Sequence, residues 1–279
     1  FGISKLLYSC GNMNVPETFS KQVNSRIVDF VWNYSIPKVK RTTLIQTTEN
    51  GGLNMPDMTI ICKSLKVLWV KRLLEEDPLQ WKVIPLYYLQ RVGGRFLFKC
   101  NYDIRTLSIN LPPVYKSILQ IWSELMQTSP QTANEIRNEF LWNNRYILIN
   151  CKSVWWKNWH DQGLNKISNI LKPDGAFIQY SELSQKFKID HWSYISLVDA
   201  IPNDWKKILK STTSMHEPVT MTHVGNNNVT IGQSSVQIEK AMHRDIYNIF
   251  REKVAISPTV ENKIRKRFSV EINTSLIYS

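Results

Sequence analysis

Two adjacent aspartates, the local mark of a polymerase centre that holds two metal ions about 3.5–4 Å apart, occur nowhere in this chain. The other compact signatures of chemistry are missing too: the phosphate-cradling G-x-G-x-x-G and G-x-x-x-x-G-K-S/T, the zinc-binding H-E-x-x-H and the nucleophile elbow G-x-S-x-G. Glu75-Glu76-Asp77 is an acidic run, but at a helix end before Pro78 it reads as solvated surface. His160, His191, His216, His223 and His243 are scattered without ligand spacing. His160, between Trp159 and Asp161, reads as a hydrogen-bonded, partly buried side chain rather than a catalytic base. Cys10, Cys62, Cys100 and Cys151 form no C-x-x-C pair, so neither a zinc ribbon nor a redox motif is written here. Four cysteines could make two disulfides, but with no sign of secretion they read as reduced thiols. No self-contained active site emerges.

Binding has more support. The chain carries 35 Lys and Arg against 23 Asp and Glu, a formal net charge of +12, and such an excess attracts phosphate-rich polymers. Residues 1–100 hold most of the excess, with 14 basic and 7 acidic side chains. The cations cluster as Lys38, Lys40 and Arg41; as Lys63, Lys66, Lys71 and Arg72; and as Lys263, Arg265, Lys266 and Arg267. Each cluster could neutralise phosphates, or simply form a solvated helix face. Trp155, Trp156 and Trp159 could stack on bases or pack a core.

The elements that must position these residues are mostly helical. Pro16-Glu17 opens a helix with Phe19, Val23, Ile27 and Phe30 on one face, ending near Trp32 and Asn33. Thr42 to Met55, broken by Gly51-Gly52, reads as a short hairpin or extended crossing. Asp57 is the expected N-cap of the best single helix, whose apolar arc takes Met58, Ile61, Cys62, Leu65, Leu68, Trp69 and Leu73 and leaves Lys63, Lys66 and Lys71 outside. Further helices are predicted around 79–90, from Pro112-Pro113, near 191–200 and near 203–209, with Ser181 capping a short one. A strand or hairpin is predicted within 145–154. Residues 211–235 are polar and aperiodic and read as a linker, followed by helices at 236–253 and 259–268. Phe30-Val-Trp-Asn33 is echoed by Phe140-Leu-Trp-Asn143, but the flanks do not repeat, so no solenoid is inferred. With 43% hydrophobic residues and no apolar run of about 18, the expectation is a folded, mainly α protein with one or two small β-hairpins and no membrane partner. Phe1 and the residues after it carry neither an initiator Met nor signal-peptide features, which reads as the interior of a longer frame.

One family resemblance is specific. Phe30-Val-Trp-Asn33, then Lys38-Val-Lys-Arg-Thr-Thr-Leu44, then Glu49-Asn-Gly-Gly-Leu-Asn-Met-Pro-Asp57 resembles the segment just after the catalytic palm in reverse transcriptases of LINE-type, non-LTR retrotransposons. Leu141-Trp-Asn143, Ser153 to Gly163, Asp174-Gly175, Phe177 and Ala200-Ile-Pro-Asn-Asp-Trp205 continue the likeness, which extends over about residues 1–270. Where related elements carry Trp after Pro258, Ile264 aligns here. The resemblance implies a thumb-like helical lobe at 1–105, a helical connector lobe with a small hairpin at 106–210, a linker or large loop at 211–235 and a C-terminal helical appendage at 236–279. It implies that the catalytic aspartates and their magnesium lie in a palm outside this chain, so that no cofactor belongs to this segment. The implied partners are RNA template, DNA primer or target DNA and the rest of the parent polypeptide, in the nucleus or cytoplasm. By this reading Lys38, Lys40, Arg41, Lys63 and Lys66 contact backbone phosphates without reading sequence. The rival expectation is a catalytically silent structural or protein-interaction remnant.

Overall fold

The structure, a computed structural model, describes residues 2–211, 228–231, 234–237 and 240–254. The chain is mainly helical, with two short antiparallel hairpins among the described residues. In order, the helices and strands are α1 (Gly2–Asn12), α2 (Glu17–Val31), α3 (Arg41–Leu44), α4 (Met58–Leu74), α5 (Val83–Leu89), α6 (Pro113–Leu125) and α7 (Ala133–Asn138). They continue with β1 (Leu148–Ile149), β2 (Lys152–Ser153), α8 (Lys157–Asp161), α9 (Tyr180–Lys186), α10 (His191–Ala200), α11 (Asn203–Ser211), β3 (Asn228–Ile231), β4 (Ser234–Gln237) and α12 (His243–Val254). They form two compact units, one from the described residues of Phe1–Glu75 and Asn227–Ser279, the other from those of Glu76–Asn226.

This division differs from the predicted one at 105/106, because α12 belongs with the first unit and the chain after α4 with the second. The cause is the shape of α4. Ile60, Val67 and Val70 are buried along with Met58, Ile61, Cys62 and Leu73, so the helix is covered on nearly every side rather than along one arc. A helix that is apolar all round needs neighbours all round, and α1, α2 and α12 supply them. Asp57 caps α4 as expected, its carboxylate accepting from the amides of Thr59 at 2.8 Å and Ile60 at 3.0 Å.

Three sequence expectations fail in this unit. The face Phe19–Val23–Ile27–Phe30 of α2 is not the buried one: Ser20 and Asn24 are buried and Phe30 is 80% exposed. Asn24 turns inward because it completes the polar cap of α4, described below. Thr42 to Met55 is no strand pair; it holds α3 and a 3-10 turn at Thr48–Asn50 and then folds back, with Leu53 and Met55 amides donating to Leu44 O and Asn54 to Gln46 O. The predicted helix from 236 begins only at His243, since β4 pairs with β3 in the register Asn228↔Gln237 to Ile231↔Ser234. The same pairing replaces the end of the predicted linker. Its stretch 212–227 and the helix expected at 259–268 lie outside the described residues.

The second unit is organised around Trp142, fully buried with Leu141, Ile136, Ile147, Leu164 and Leu197. Its indole N–H donates to Leu164 O at 2.8 Å. α6 starts after Pro112 and buries Ile118, Ile121 and Leu125 as predicted. The expected hairpin within 145–154 is β1–β2, closed by Asn150 and Cys151 at φ 51° and 60°, the two positive values that a tight two-residue hairpin turn requires. α9 forms where Ser181 was expected to cap it, but the cap is Gln179 and no side chain bonds there. The echoed Asn33 and Asn143 share a left-handed conformation, φ 46° and 48°, which asparagine tolerates better than most residues.

Candidate nucleic-acid interface

The basic loop follows directly from the end of α2. Trp32 closes the helix, Asn33 and Tyr34 turn the chain through left-handed φ values of 46° and 59°, and the Tyr34 amide donates to Asp29 O at 2.7 Å. Residues 33–40 are then exposed throughout, Lys38 and Lys40 among them, until α3 brings the chain back. Two features brace the chain where this loop returns. Gly52 lies so close to the turn after α3 that a Cβ there would sit 2.2 Å from the backbone oxygen of Gln46, so the return path admits no side chain at that position. The second brace is polar.

Arg41 pairs through Nη2 with Oδ2 of Asp57, whose side chain is almost wholly buried. Asn24 ties into the same carboxylate, donating from Nδ2 to Oδ1 at 3.4 Å, while its own Oδ1 accepts from the Met58 amide at 2.7 Å. The Asp57 amide donates to Tyr247 Oη on α12 at 3.1 Å. Burial pushes the Tyr247 phenol up and draws the Arg41 guanidinium down from its ordinary value. A single carboxylate thereby joins α2, α3, α4 and, through its own amide, α12. Nothing in the periodicity marked Asn24, which lies off the apolar face and shares its side of α2 with Glu17 and Ser20.

Three cations of α4, Lys63, Lys66 and Lys71, serve the interior instead of a ligand surface, while Arg72 near the helix end is exposed. Lys66 is 5% exposed, packed among the thiols of Cys10 and Cys62; burial lowers its pKa, which those thiols partly restore. Burial, followed by the neighbouring Cys62, pushes the Cys10 thiol up to about 12. Lys63 is half-buried, its ammonium 5.9 Å from the centre of the Phe250 ring on α12. Lys71 donates to Ala241 O at 3.0 Å. His243 of α12 is hydrogen-bonded through Nε2 to Ser64 Oγ at 2.8 Å, and burial lowers its pKa.

The five predicted phosphate ligands therefore do not share one exposed groove. Lys38 and Lys40 lie together on the exposed loop; Arg41 anchors that loop to Asp57; Lys63 faces α12; Lys66 is in the core. The wheel placed Lys63 and Lys66 in solvent because it could not see Phe250 of α12 arriving beside Lys63, or Cys10 of α1 beside Lys66. Of the third basic cluster, Lys263, Arg265, Lys266 and Arg267 lie outside the described residues.

In the second unit His160 is hydrogen-bonded as expected, Nδ1 to Asn165 Oδ1 at 2.5 Å, with its ring 4.4 Å from that of Phe96. Trp159 is buried and Trp155 and Trp156 half-buried, so the tryptophan run is mainly core. Among the described residues no three His, Cys, Asp or Glu side chains come close enough to hold a metal ion, and no helix is long and apolar enough to cross a membrane. No known protein family, curated protein or solved structure matches this chain.

Proposed function

We propose that this chain is a non-catalytic, nucleic-acid-gripping part of a LINE-type reverse transcriptase polypeptide, in which Lys38 and Lys40 hold backbone phosphates of a template–primer duplex. The observation that carries the reading is the braced loop. Two lysines with exposed heads stand on a segment whose C-terminal end is held by the Arg41–Asp57 pair, with the close approach of Gly52 to Gln46 just beyond it. A loop anchored there presents two ammonium groups that hold phosphates without reading bases. The net charge of +12 supplies long-range attraction to any polyanion. The likeness of residues 30–57 to the post-palm segment of these enzymes points the same way.

Affinity for an RNA–DNA hybrid, measured between about 50 and 200 mM salt, tests the proposal: phosphate contacts predict a steep linear fall of log K with log salt. A flat response, or no binding at the low end, assigns the loop to protein interaction. That second reading has its own observation, since Phe30, Tyr34 and Ile36 are exposed beside the lysines, an unusual density of large apolar side chains on one turn.

A further inference from the structure

The second unit carries a groove that the duplex reading does not use. It has a volume of about 370 Å³ and is lined by the segment Trp155–Trp159 together with Asp190 and Ser193 at the start of α10. Small-ligand sites span roughly 300–1,000 Å³, so this one is sized for a single small ring system and its substituents.

The walls are fixed from behind. The Trp142 ring lies 6.3 Å from Trp155, 5.9 Å from Trp156 and 6.3 Å from Trp159, and Trp156 meets Trp159 at 4.6 Å. Trp155 is seated on Gly93, where φ is 93° and a Cβ would fall 2.8 Å from the indole. Rings held this firmly give up little entropy when a ligand stacks on them, and Trp155 and Trp156 keep part of their surface open. Lys157 and Asn158 are exposed at the same groove. No described carboxylate pairs with the Lys157 ammonium. Asp190 holds its position as the cap of α10, one oxygen accepting from the Ser193 amide at 2.8 Å.

We infer that this groove takes one unpaired nucleotide of a single strand, its base against the open indole surface of Trp155 and Trp156 and its phosphate on Lys157. Asn158, Ser193 and Asp190 offer polar atoms to the base edge or the sugar hydroxyls, whereas the Asp190 carboxylate repels a phosphate and so favours the orientation with the anion on Lys157. An anionic ligand that lacked a ring would leave the indoles unused, and an aromatic cation would meet Lys157. A ligand both aromatic and anionic uses the indoles and Lys157 together, and in a basic protein a nucleotide is the one favoured. The inference stands apart from the duplex proposal, because it concerns a different unit and an unpaired strand.

The test is fluorescence anisotropy of a labelled oligo(rU) ten-mer with the full chain. Lys157→Gln, an exposed change that leaves the fold intact, lowers the salt slope by about 0.7, the value for one single-strand phosphate contact. Trp156→Ala weakens binding on the order of five- to 100-fold and Trp156→Phe much less, stacking being retained. Lys38→Glu with Lys40→Glu leaves ten-mer binding in place, and Lys157→Gln leaves hybrid-duplex binding in place, so failure of one proposal is told from failure of the other. The inference is overturned if Lys157→Gln binds the ten-mer with the wild-type slope, if an acidic decapeptide of equal charge competes as well as the ten-mer, or if the wild-type chain shows no ten-mer binding at 50 mM salt.

Discussion

Replacing Asp57 by Ala removes the carboxylate on which the first unit converges, and the structure allows the loss to be divided. The two amide bonds from Thr59 and Ile60 form an N-cap, worth about 1 kcal/mol. The Asn24 contact, at 3.4 Å, is long and adds little. The pair with Arg41 would be worth about 3–5 kcal/mol if both partners were sealed from water. The Arg41 side chain is 38% exposed, so solvent screening reduces that share to about 1–2 kcal/mol. The sum for Asp57→Ala is about 2–3 kcal/mol. Arg41→Met loses only the pair, and the double variant then shows a coupling of about 1–2 kcal/mol. With two compact units, one global transition does not define the stability of either. Hydrogen exchange of the α4 amides gives the local value. A coupling below about 0.5 kcal/mol, the level of unconnected sites, would refute the claim that Arg41 is committed to Asp57.

Other consequences are as direct. His243, whose pKa burial lowers from 6.5, binds fewer protons folded than unfolded, so its contribution is present above pH 6.5 and is lost as pH falls through its folded value. Exchange at α12 should accelerate over that window, and His243→Gln should abolish the pH dependence. Gly93→Ala meets both the left-handed φ and the Trp155 ring, and should destabilise the second unit by about 2–3 kcal/mol in urea unfolding followed by tryptophan fluorescence.

The sequence exposed the elements more fully than the faces. Caps and breakers act locally, so Asp57, Pro112 and the start of α10 were legible, and the helical class followed from them. The inward turn of Asn24, the burial of Lys66 and the docking of α12 on α4 depend on partners distant in sequence. A helical wheel sees one helix, and α4 is buried by three. Arg41 shows the consequence for the site: residue type and spacing mark it as a phosphate ligand, and only the fold reveals the carboxylate that already holds it. The tryptophan run was legible as core, whereas the groove beside it required Asp190 and Ser193 to arrive from more than 30 positions away.

The central claim is that Lys38 and Lys40 grip phosphates while Arg41, Lys63 and Lys66 hold the scaffold. The salt dependence of RNA–DNA hybrid binding, compared between the wild-type chain, Lys38→Ala with Lys40→Ala, and Lys66→Met, tests it most directly. Two lost contacts lower the log–log slope by about 1.8, roughly a tenfold difference across a fourfold change in salt, and Lys66→Met retains the full slope. An unchanged slope in the double variant, or an equal fall in Lys66→Met, would contradict it.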